Sequence, residues 1–267
     1  MSTAQKSFSK HRGSNSAEPF PKEKIEHLIQ EAKLLMRSTN EGKSTLGIFI
    51  LLALETGLRV GDLQRLTIEH FHSLNDKKVF GPFAYNLRGK YPFYEQKTGK
   101  LSNASISVEL YNSLCVFVNN RFKKYKTPKN YPFLYSDRTK RSWESKGKVP
   151  TVEDVFGYEE VNIVGGKRKS RFRSPSITRN RHWVKTSLES LAKRMDLPDA
   201  TLSAHSLRKS SSAILFSQVY RNGEVFTIAD QSEYFSHSSL MVTQNYMANA
   251  KAKDPSVRIA KLRFGIK

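Results

Sequence analysis

The segment AHSLRKS at 204–210 places a histidine and an arginine three positions apart, and His237 and Tyr246 follow it in the last third of the chain. Residues three apart lie on the same face of a helix, so His205 and Arg208 are expected to project together. A guanidinium binds an anion, imidazoles share or move protons, and a phenol can attack as a nucleophile. The set is therefore chemically suited to a phosphodiester.

The charge of the chain points to a polyanionic partner. The 267 residues, 38% of them hydrophobic, are enough for one large domain, or for one domain with a small appendage. Lys and Arg number 45 against 24 Asp and Glu, which gives a formal net charge of +21. Such a surplus attracts nucleic acid first. An anionic membrane surface is the second choice, but no basic amphipathic helix with a bulky apolar face favours it.

Metal, disulfide and membrane signals are missing from the sequence. The single cysteine, Cys115, excludes a disulfide framework, and its apolar helical surroundings predict a buried thiol. We find no carboxylate cluster and no glycine-rich phosphate loop, so no metal and no cofactor is expected. The longest apolar run, 47–54, is too short to span a bilayer, and the first twenty residues lack a signal peptide. We expect a soluble, cytoplasmic, DNA-associated protein.

Hydrophobic spacing predicts a mainly α chain with a small antiparallel β-sheet or hairpin, an α+β fold. Helices are predicted at 21–37, 44–58, 109–126, 176–195, 205–218, 225–235 and 239–247, and extended segments at 79–87, 91–96, 104–108 and 131–136. The second helix is apolar on most sides and is expected at the centre of the core.

The segment TGLRVGDL at 56–63 reads as a tight turn between two glycines. Gly57 ends the preceding helix, and Asp62 is positioned to cap the next short one. Arg59, held in this turn beside a buried helix, suits a fixed anion contact. It equally suits a surface ion pair with Asp62, and the turn alone does not separate the two readings.

The segment KTGK at 97–100 is predicted as the turn of a hairpin, with Lys97 as a mobile charge near its tip. Lys90 and Lys100 lie close by in the same hairpin. Taken alone, a lysine in such a turn is usually only solvated.

The least regular part of the sequence is 137–174. The segment 164–185, which overlaps its end, contains eight Lys and Arg residues and no acid. We interpret this run as a segment lying along phosphate, the alternative being a solvated excursion from the fold. Its candidate DNA contacts are Lys167, Arg168, Lys169, Arg171, Arg173, Arg179 and Arg181.

Taken in order, these segments resemble the tyrosine recombinases, the integrases and resolvases of phages, plasmids and integrative elements. ETGLRVGDL at 55–63 is similar to the family's first-arginine box, and EQKTG at 95–99 to the hairpin that carries its lysine. HSLR at 205–208 is similar to the His-x-x-Arg box, and HSS at 237–239 followed by Tyr246 to the final segment. The resemblance covers about 22–250 and implies the tyrosine recombinase catalytic-domain fold.

The resemblance implies a site-specific DNA recombinase or integrase that breaks and rejoins strands through a 3′-phosphotyrosine intermediate on Tyr246, without metal or ATP. Arg59 and Arg208 would bind the non-bridging phosphate oxygens, and Lys97 would protonate the departing 5′-oxygen.

The family pattern also implies roles for the two histidines and the aspartate. His205 would hydrogen-bond the phosphate and assist proton transfer from the nucleophile, and His237 would donate a further hydrogen bond. Asp62 would orient the basic residues rather than react. The usual Leu-Gly before the second histidine is Phe-Ser here, at 235–236, so the turn is expected to differ.

The implied organisation is a disordered basic tail at 1–20, a catalytic domain at 21–250 with an insertion at about 137–174, and a basic tail at 251–267. In the family such a C-terminal tail often packs onto the next protomer of a ring of four. Family members usually carry a helical DNA-binding domain before the catalytic domain, and here only about twenty residues precede the first helix. We expect double-stranded DNA as partner and a homotetramer on it. The basic tail, the insertion or an accessory DNA-bending protein would help to grip the duplex.

Three other functions use the same features. A type IB topoisomerase and a telomere resolvase share the chemistry, although the topoisomerases typically lack the histidine of the His-x-x-Arg box and the resolvases are usually larger. A non-catalytic DNA-binding protein on the same fold is the alternative outside the enzymes, and it would be expected to have lost some of these residues.

Overall fold

The computed structural model describes residues 20, 22–77, 80–164, 167–197, 202–217, 230, 233–234 and 263–264, and the fold is given for these residues. The helices are α1 (Lys22–Met36), α2 (Glu41–Thr56), α3 (Val60–Leu63), α4 (Val108–Phe122), α5 (Asp137–Glu144), α6 (Val152–Phe156), α7 (Arg181–Arg194) and α8 (Ala204–Ser217). The strands are β1 (His72–Asn75), β2 (Pro82–Asn86), β3 (Ser105–Ile106), β4 (Tyr158–Val164) and β5 (Lys167–Arg173), and Ile68–His70 and Pro128–Asn130 are short 3-10 helices. Mainly helical structure with small antiparallel sheets confirms the predicted α+β class.

Helix α2 is the centre of the core, as its apolar sequence predicts. Twelve of its sixteen residues are buried, and α1 and α8 pack against it. A helix that is apolar on most sides is stable only when other elements cover it. The expected tail at 1–20 lies outside the described residues except for Phe20, which is buried in this core and donates its N–H to Ser210 Oγ at 2.6 Å.

The two ends of α2 are fixed by local geometry. The helix begins three residues before the predicted Ser44, because Asn40 is the N-cap and its side chain accepts a hydrogen bond from the Lys43 N–H at 3.1 Å. It ends at Gly57, which takes the left-handed conformation (φ 62°) and donates its N–H to the Ala53 carbonyl. This backbone conformation favours glycine, as the sequence indicates.

The three-stranded sheet is antiparallel with the order β1-β2-β3. The predicted strand at 91–96 is wrong, because this segment makes only an isolated bridge, Tyr94 with Leu101. We call residues 94–101 the Lys97 hairpin. The two arms are joined at the base of this hairpin by the Ser102 N–H, which donates to the Phe93 carbonyl at 2.9 Å.

The insertion at 137–174 is more regular than the sequence suggests. Ser136 caps α5, and a capping box between Thr151 and Asp154 starts α6. Strands β4 and β5 then pair over seven residues each to form an antiparallel ribbon, named here the β4–β5 ribbon. Short polar caps and a charged ribbon carry little hydrophobic periodicity, which explains why this part reads as irregular.

The helix predicted at 176–195 starts later, at Arg181, where the Asn180 side chain accepts the Trp183 N–H at 2.8 Å. The preceding residues instead form an isolated bridge between Tyr135 and Thr178. Cys115 is half-buried in α4, so its thiol is less enclosed than expected. Within the described residues no helix is long and apolar enough to cross a membrane. The helices predicted at 225–235 and 239–247 lie almost wholly outside the described residues.

The close contact between α1 and α2 predicts a sharp difference between two glycines of one helix. A Cβ at Gly47 would lie 2.4 Å from the Ala32 carbonyl oxygen and 2.5 Å from the Met36 nitrogen, whereas one at Gly42 would meet only Asn40 Oδ1 at 3.4 Å. We expect Gly47→Ala to lower the free energy of unfolding by about 3 kcal/mol, because backbone must move. Gly42→Ala is the control and should raise it by up to about 1 kcal/mol through helix propensity. Urea unfolding measures both, and equal midpoints for the two variants would contradict the packing.

Candidate active site

Arg59 stands in an extended conformation (φ −75°, ψ 156°) between the end of α2 and α3. We call residues 57–63 the Arg59 turn. The guanidinium Nη1 donates to Glu95 Oε2 at 2.9 Å across the gap to the Lys97 hairpin. The arginine side chain is 29% exposed and that of Glu95 is 1% exposed, so the pair joins a reachable cation to a buried carboxylate. The sequence leaves open whether Arg59 binds an anion or forms a surface ion pair with Asp62. In the structure its ion-pair partner is Glu95 instead.

Asp62 is buried inside α3 rather than capping it, because the helix already begins at Val60. Its Oδ1 accepts the Gln96 N–H at 2.7 Å and lies 3.4 Å from Arg65 Nη2. Burial raises the pKa of the carboxyl, and the Gln96 hydrogen bond and the nearby arginines oppose that rise. Asp62 therefore ties the Arg59 turn to the backbone of the Lys97 hairpin.

Arg208 lies on the first turns of α8, and its guanidinium donates to the Gly57 carbonyl at the end of α2. The residue is buried. Burial and the neighbouring Arg59 lower the pKa of Arg208 to about 10, while Glu95 and Asp62 oppose the decrease. The guanidinium stays protonated at neutral pH, so two arginines from distant segments face one site.

His205 is exposed at the start of α8, next to that arginine pair. Partial burial lowers its pKa, and the positive charges of Lys209, Arg208 and Arg59 lower it further. A pKa below the usual 6.5 leaves the imidazole neutral at pH 7, the form that accepts a proton. The structure thus brings His205, Arg208 and Arg59 together. Of the two residues on α8, Arg208 is buried and His205 is exposed.

Lys97 is exposed in the turn of its hairpin. The turn is closed by the Gly99 N–H, which donates to the Glu95 carbonyl at 2.8 Å, and Gly99 takes a left-handed conformation (φ 64°). Since Glu95 and Gln96 bind the Arg59 turn, the lysine follows directly after two anchored residues.

His237 and Tyr246 lie outside the described residues, so their predicted roles stay predictions. The described residues nearest to them are Glu233 and Tyr234. Tyr234 is buried, and its hydroxyl donates to the Glu55 carbonyl at 2.6 Å. The chain that leads to His237 is therefore fixed against the last turn of α2.

Two residues of the C-terminal tail are described, and both contact the same chain. Arg263 donates to the Glu55 carbonyl and to the Tyr234 hydroxyl, and Phe264 packs on the cluster of Leu74 and Ala84. The expectation that 251–267 reaches a neighbouring protomer remains a prediction.

Glu55 is a half-buried residue whose role sequence reasoning missed. Its carboxylate accepts the Ser107 N–H at 2.7 Å and the Ser107 hydroxyl at 2.9 Å, at the start of α4. Burial raises the pKa of Glu55, and Arg263 lowers it. The acid of the first-arginine segment thus joins α2 to α4. A glutamate at the end of a helix, one position before Thr56, carries no sequence pattern that would predict its contact with Ser107.

Strand β5 of the ribbon carries five of the candidate DNA contacts. It pairs with β4 along Lys167–Arg173, and the side chains of Lys167, Arg168, Lys169 and Arg171 lie outside the described part of the structure. Phe172 stacks on Tyr94 at 5.8 Å between ring centroids, and the Arg65 guanidinium lies 4.9 Å from its centroid. Phe172 therefore packs the end of the ribbon on the Lys97 hairpin.

The remaining candidate DNA contacts differ in their surroundings. Arg173 pairs with Glu160 at 2.7 Å and keeps 38% of its side chain exposed. Arg179 departs from the expectation: it is held by Glu41 at 2.7 Å, and only 11% of its side chain is exposed. Burial lowers its pKa, and Glu41 opposes that change. This placement favours a structural role for Arg179, whereas Arg181 is exposed at the first position of α7.

The family of the chain follows from comparison with known proteins. A model of the phage integrase family matches residues 20–253. The chain belongs to the phage integrase family. Comparison with curated protein sequences finds no match.

Solved structures of recombinases are similar to this integrase-family chain. One is the XerH site-specific recombinase bound to palindromic difH substrate in a post-cleavage complex, with 15% identity and a TM-score of 0.50 over 88% of this chain and 50% of that one. Another is the Tn1549 transposon integrase (residues 82–397) in complex with circular intermediate DNA, with 16% identity and a TM-score of 0.43 over 90% of this chain and 64% of that one. The chain thus spans about half the length of the XerH chain. At this identity the likeness concerns the fold.

Removing the Phe172 ring tests how the β4–β5 ribbon is attached. We expect Phe172→Ala to free the ribbon from Tyr94 and Arg65, so that trypsin cleaves at its lysines and arginines several-fold faster. Phe80→Ala is the matched control, because Phe80 is fully exposed. Mass spectrometry of timed digests locates the cuts. Equal ribbon cleavage in both variants would show that the stack does not hold it.

Proposed function

We propose that the chain is a site-specific tyrosine recombinase that breaks and rejoins DNA strands through a 3′-phosphotyrosine on Tyr246. The observation that carries the proposal is the convergence of Arg59, Arg208 and His205 at the end of α2, beside the hairpin of Lys97. Membership of the phage integrase family supports the same chemistry.

In the proposed step the Tyr246 oxygen attacks the phosphorus, and the bond from phosphorus to the 5′-oxygen breaks. Arg59 and Arg208 bind the non-bridging oxygens and stabilise the charge of the pentacoordinate transition state. Planar guanidinium donors match two oxygens of one phosphate. Because the bond energy is kept in the phosphotyrosine, a 5′-hydroxyl of another strand can reverse the step without ATP.

Two proton transfers complete the reaction. The neutral His205 accepts the phenolic proton, directly or through water, and the Lys97 ammonium protonates the departing 5′-oxygen. His237 donates a hydrogen bond to the phosphate. Asp62 orients the basic residues, and its hydrogen bond to the Gln96 N–H supports this role, since it fixes the segment just before Lys97.

We propose double-stranded DNA as the partner, held by the basic residues of strand β5 (Lys167, Arg168, Lys169, Arg171 and Arg173) and by Arg181. The net charge of +21 supports this, and so does the exposure of Arg181 at the start of α7. Action in the cytoplasm on chromosomal or plasmid DNA, a homotetramer on DNA and help from a DNA-bending protein belong to the same proposal. The XerH recombinase, whose fold this chain resembles, was solved bound to its difH substrate.

The first prediction concerns the nucleophile. On nicked DNA from the flanks of the protein's own gene, without added metal, the native protein should form a protein–DNA adduct that survives boiling in detergent. Tyr246→Phe should lose the adduct and keep DNA binding, because only the attacking hydroxyl is removed. Tyr91→Phe is the matched control, since Tyr91 is exposed in the segment before the hairpin.

Other outcomes of that assay select the alternatives. An adduct with Tyr246→Phe would contradict the assigned nucleophile. Binding without any adduct would favour a non-catalytic DNA-binding protein or a requirement for a partner. Relaxation of an unrelated supercoiled plasmid would favour the topoisomerase, and closed hairpin ends would favour the telomere resolvase.

The second prediction concerns the ribbon. If about six phosphates are neutralised, log K should fall against log salt with a slope of roughly −5. Replacing Lys167, Lys169 and Arg171 by alanine should make that slope shallower by about 2 to 3. The control replaces three exposed lysines elsewhere, Lys123, Lys126 and Lys129, which removes the same charge. Equal slopes for the two triple variants would mean that net charge, rather than the ribbon, governs binding.

A further inference from the structure

We infer that Glu95 is a positioning residue that fixes Arg59 and the Lys97 hairpin in one geometry. The inference rests on the proposed function, because it concerns the same phosphate site. It assigns to Glu95 a role that the sequence patterns of the site leave open.

The side chain of Glu95 is the first part of the argument. Its Oε2 accepts from Arg59 Nη1 at 2.9 Å, and the side chain is 1% exposed. A carboxylate buried to this extent is stable only beside a cation, so the pair is held in place from the carboxylate side. A guanidinium has further N–H donors, and these remain for the phosphate while Nη1 stays on Glu95.

The backbone of Glu95 is the second part. Its N–H donates to the Lys100 carbonyl at 2.9 Å, and its carbonyl accepts from the Gly99 N–H at 2.8 Å. Both bonds close the loop that contains Lys97. One residue therefore sets the loop with its backbone and the arginine with its side chain. The distance between the phosphate-binding guanidinium and the proposed general acid is fixed through Glu95.

Electrostatics is the third part. Burial and the charge of Arg59 lower the pKa of Arg208, and the carboxylates of Glu95 and Asp62 oppose this. Asp62 acts on a different atom set, the Gln96 N–H and Arg65. Glu95 therefore acts on Arg59 by a direct hydrogen bond, and a neutral amide in its place keeps the shape but loses the ion pair.

The test is the rate of adduct formation in single turnover with saturating protein. We expect Glu95→Gln to lower this rate about 10- to 100-fold, as for a misplaced phosphate ligand, with the Kd for the DNA changed less than about twofold. Glu109→Gln is the matched control. It removes a different carboxylate–cation pair, the 2.7 Å contact of Glu109 with Lys33, at an exposed position. Thermal unfolding of both variants reports folding. Should Glu95→Gln fail to fold, Glu95→Asp keeps the charge and shortens the reach, and an intermediate rate is expected.

A double-mutant cycle separates positioning from general destabilisation. If Glu95 acts through Arg59, the Gln substitution costs little in an Arg59→Ala background. The same cost in both backgrounds, or a Glu95→Gln rate equal to that of the native protein, overturns the inference.

A second readout needs no cleavage, so it separates failure of the inference from failure of the proposed function. In protein with ¹⁵N-labelled arginine, the Arg59 side-chain signal, assigned by its loss in Arg59→Ala, should exchange slowly with water. It should exchange faster in Glu95→Gln and stay slow in Glu109→Gln. If the native protein forms no adduct, the proposed function fails while this pattern still supports the positioning. Equal exchange in the native and Glu95→Gln proteins overturns the inference even where adducts form.

Discussion

The buried carboxylates Asp62 and Glu95 hold together a site that would otherwise repel itself. Arg59 and Arg208 come from segments about 150 positions apart, and the charge of Arg59 lowers the pKa of Arg208. Guanidinium groups cannot shed their protons at neutral pH, so the repulsion has to be offset by nearby anions. The carboxylates also bind the Arg59 turn to the Lys97 hairpin. Charge balance and geometry are therefore set by the same contacts, and a change in either alters both.

Helix α2 carries this arrangement because it is rigid and ends abruptly. Buried side chains fix its position, and the left-handed Gly57 stops it at a defined point. The Gly57 carbonyl then accepts from Arg208, and the Glu55 carbonyl accepts from Tyr234 and Arg263. A helix leaves the carbonyls of its last turn without internal partners. Here three later segments of the chain donate hydrogen bonds to such carbonyls at one helix end. A site built on such an end is placed more precisely than one built on loops.

Local patterns predicted the parts of the site that are local. The glycine that ends α2, the turn that holds Arg59 and the hairpin turn at Lys97 follow from residue types at fixed spacing. What the sequence could not supply are pairings across long separations. Arg179 reads as one more basic residue of a charged run, but Glu41, 138 positions earlier, holds it. Likewise Glu95 lies in the segment predicted as extended at 91–96, and no pattern there indicates that its carboxylate pairs with Arg59, 36 positions earlier. The regularity of the insertion was missed because caps and cross-strand charges, rather than hydrophobic periodicity, define it.

Arg65 is one of the residues that join the insertion to the active-site region, beside the Phe172–Tyr94 stack and the Ser174 hydroxyl, which donates to the Gly61 carbonyl at 2.9 Å. Arg65 lies between the rings of Phe93 and Phe172, with its guanidinium carbon 4.5 Å and 4.9 Å from their centroids. The same guanidinium donates to the Tyr94 carbonyl and approaches Asp62. Tyr94 precedes Glu95, so the stack of ribbon on hairpin ends one residue from the Arg59 ion pair. Arg65 contacts Phe93, Phe172, Tyr94 and Asp62 at once, so the ribbon, the hairpin of Lys97 and the Arg59 turn all pack against one side chain. Because packed side chains with several fixed partners do not shift singly, the position of the ribbon and that of the hairpin depend on each other.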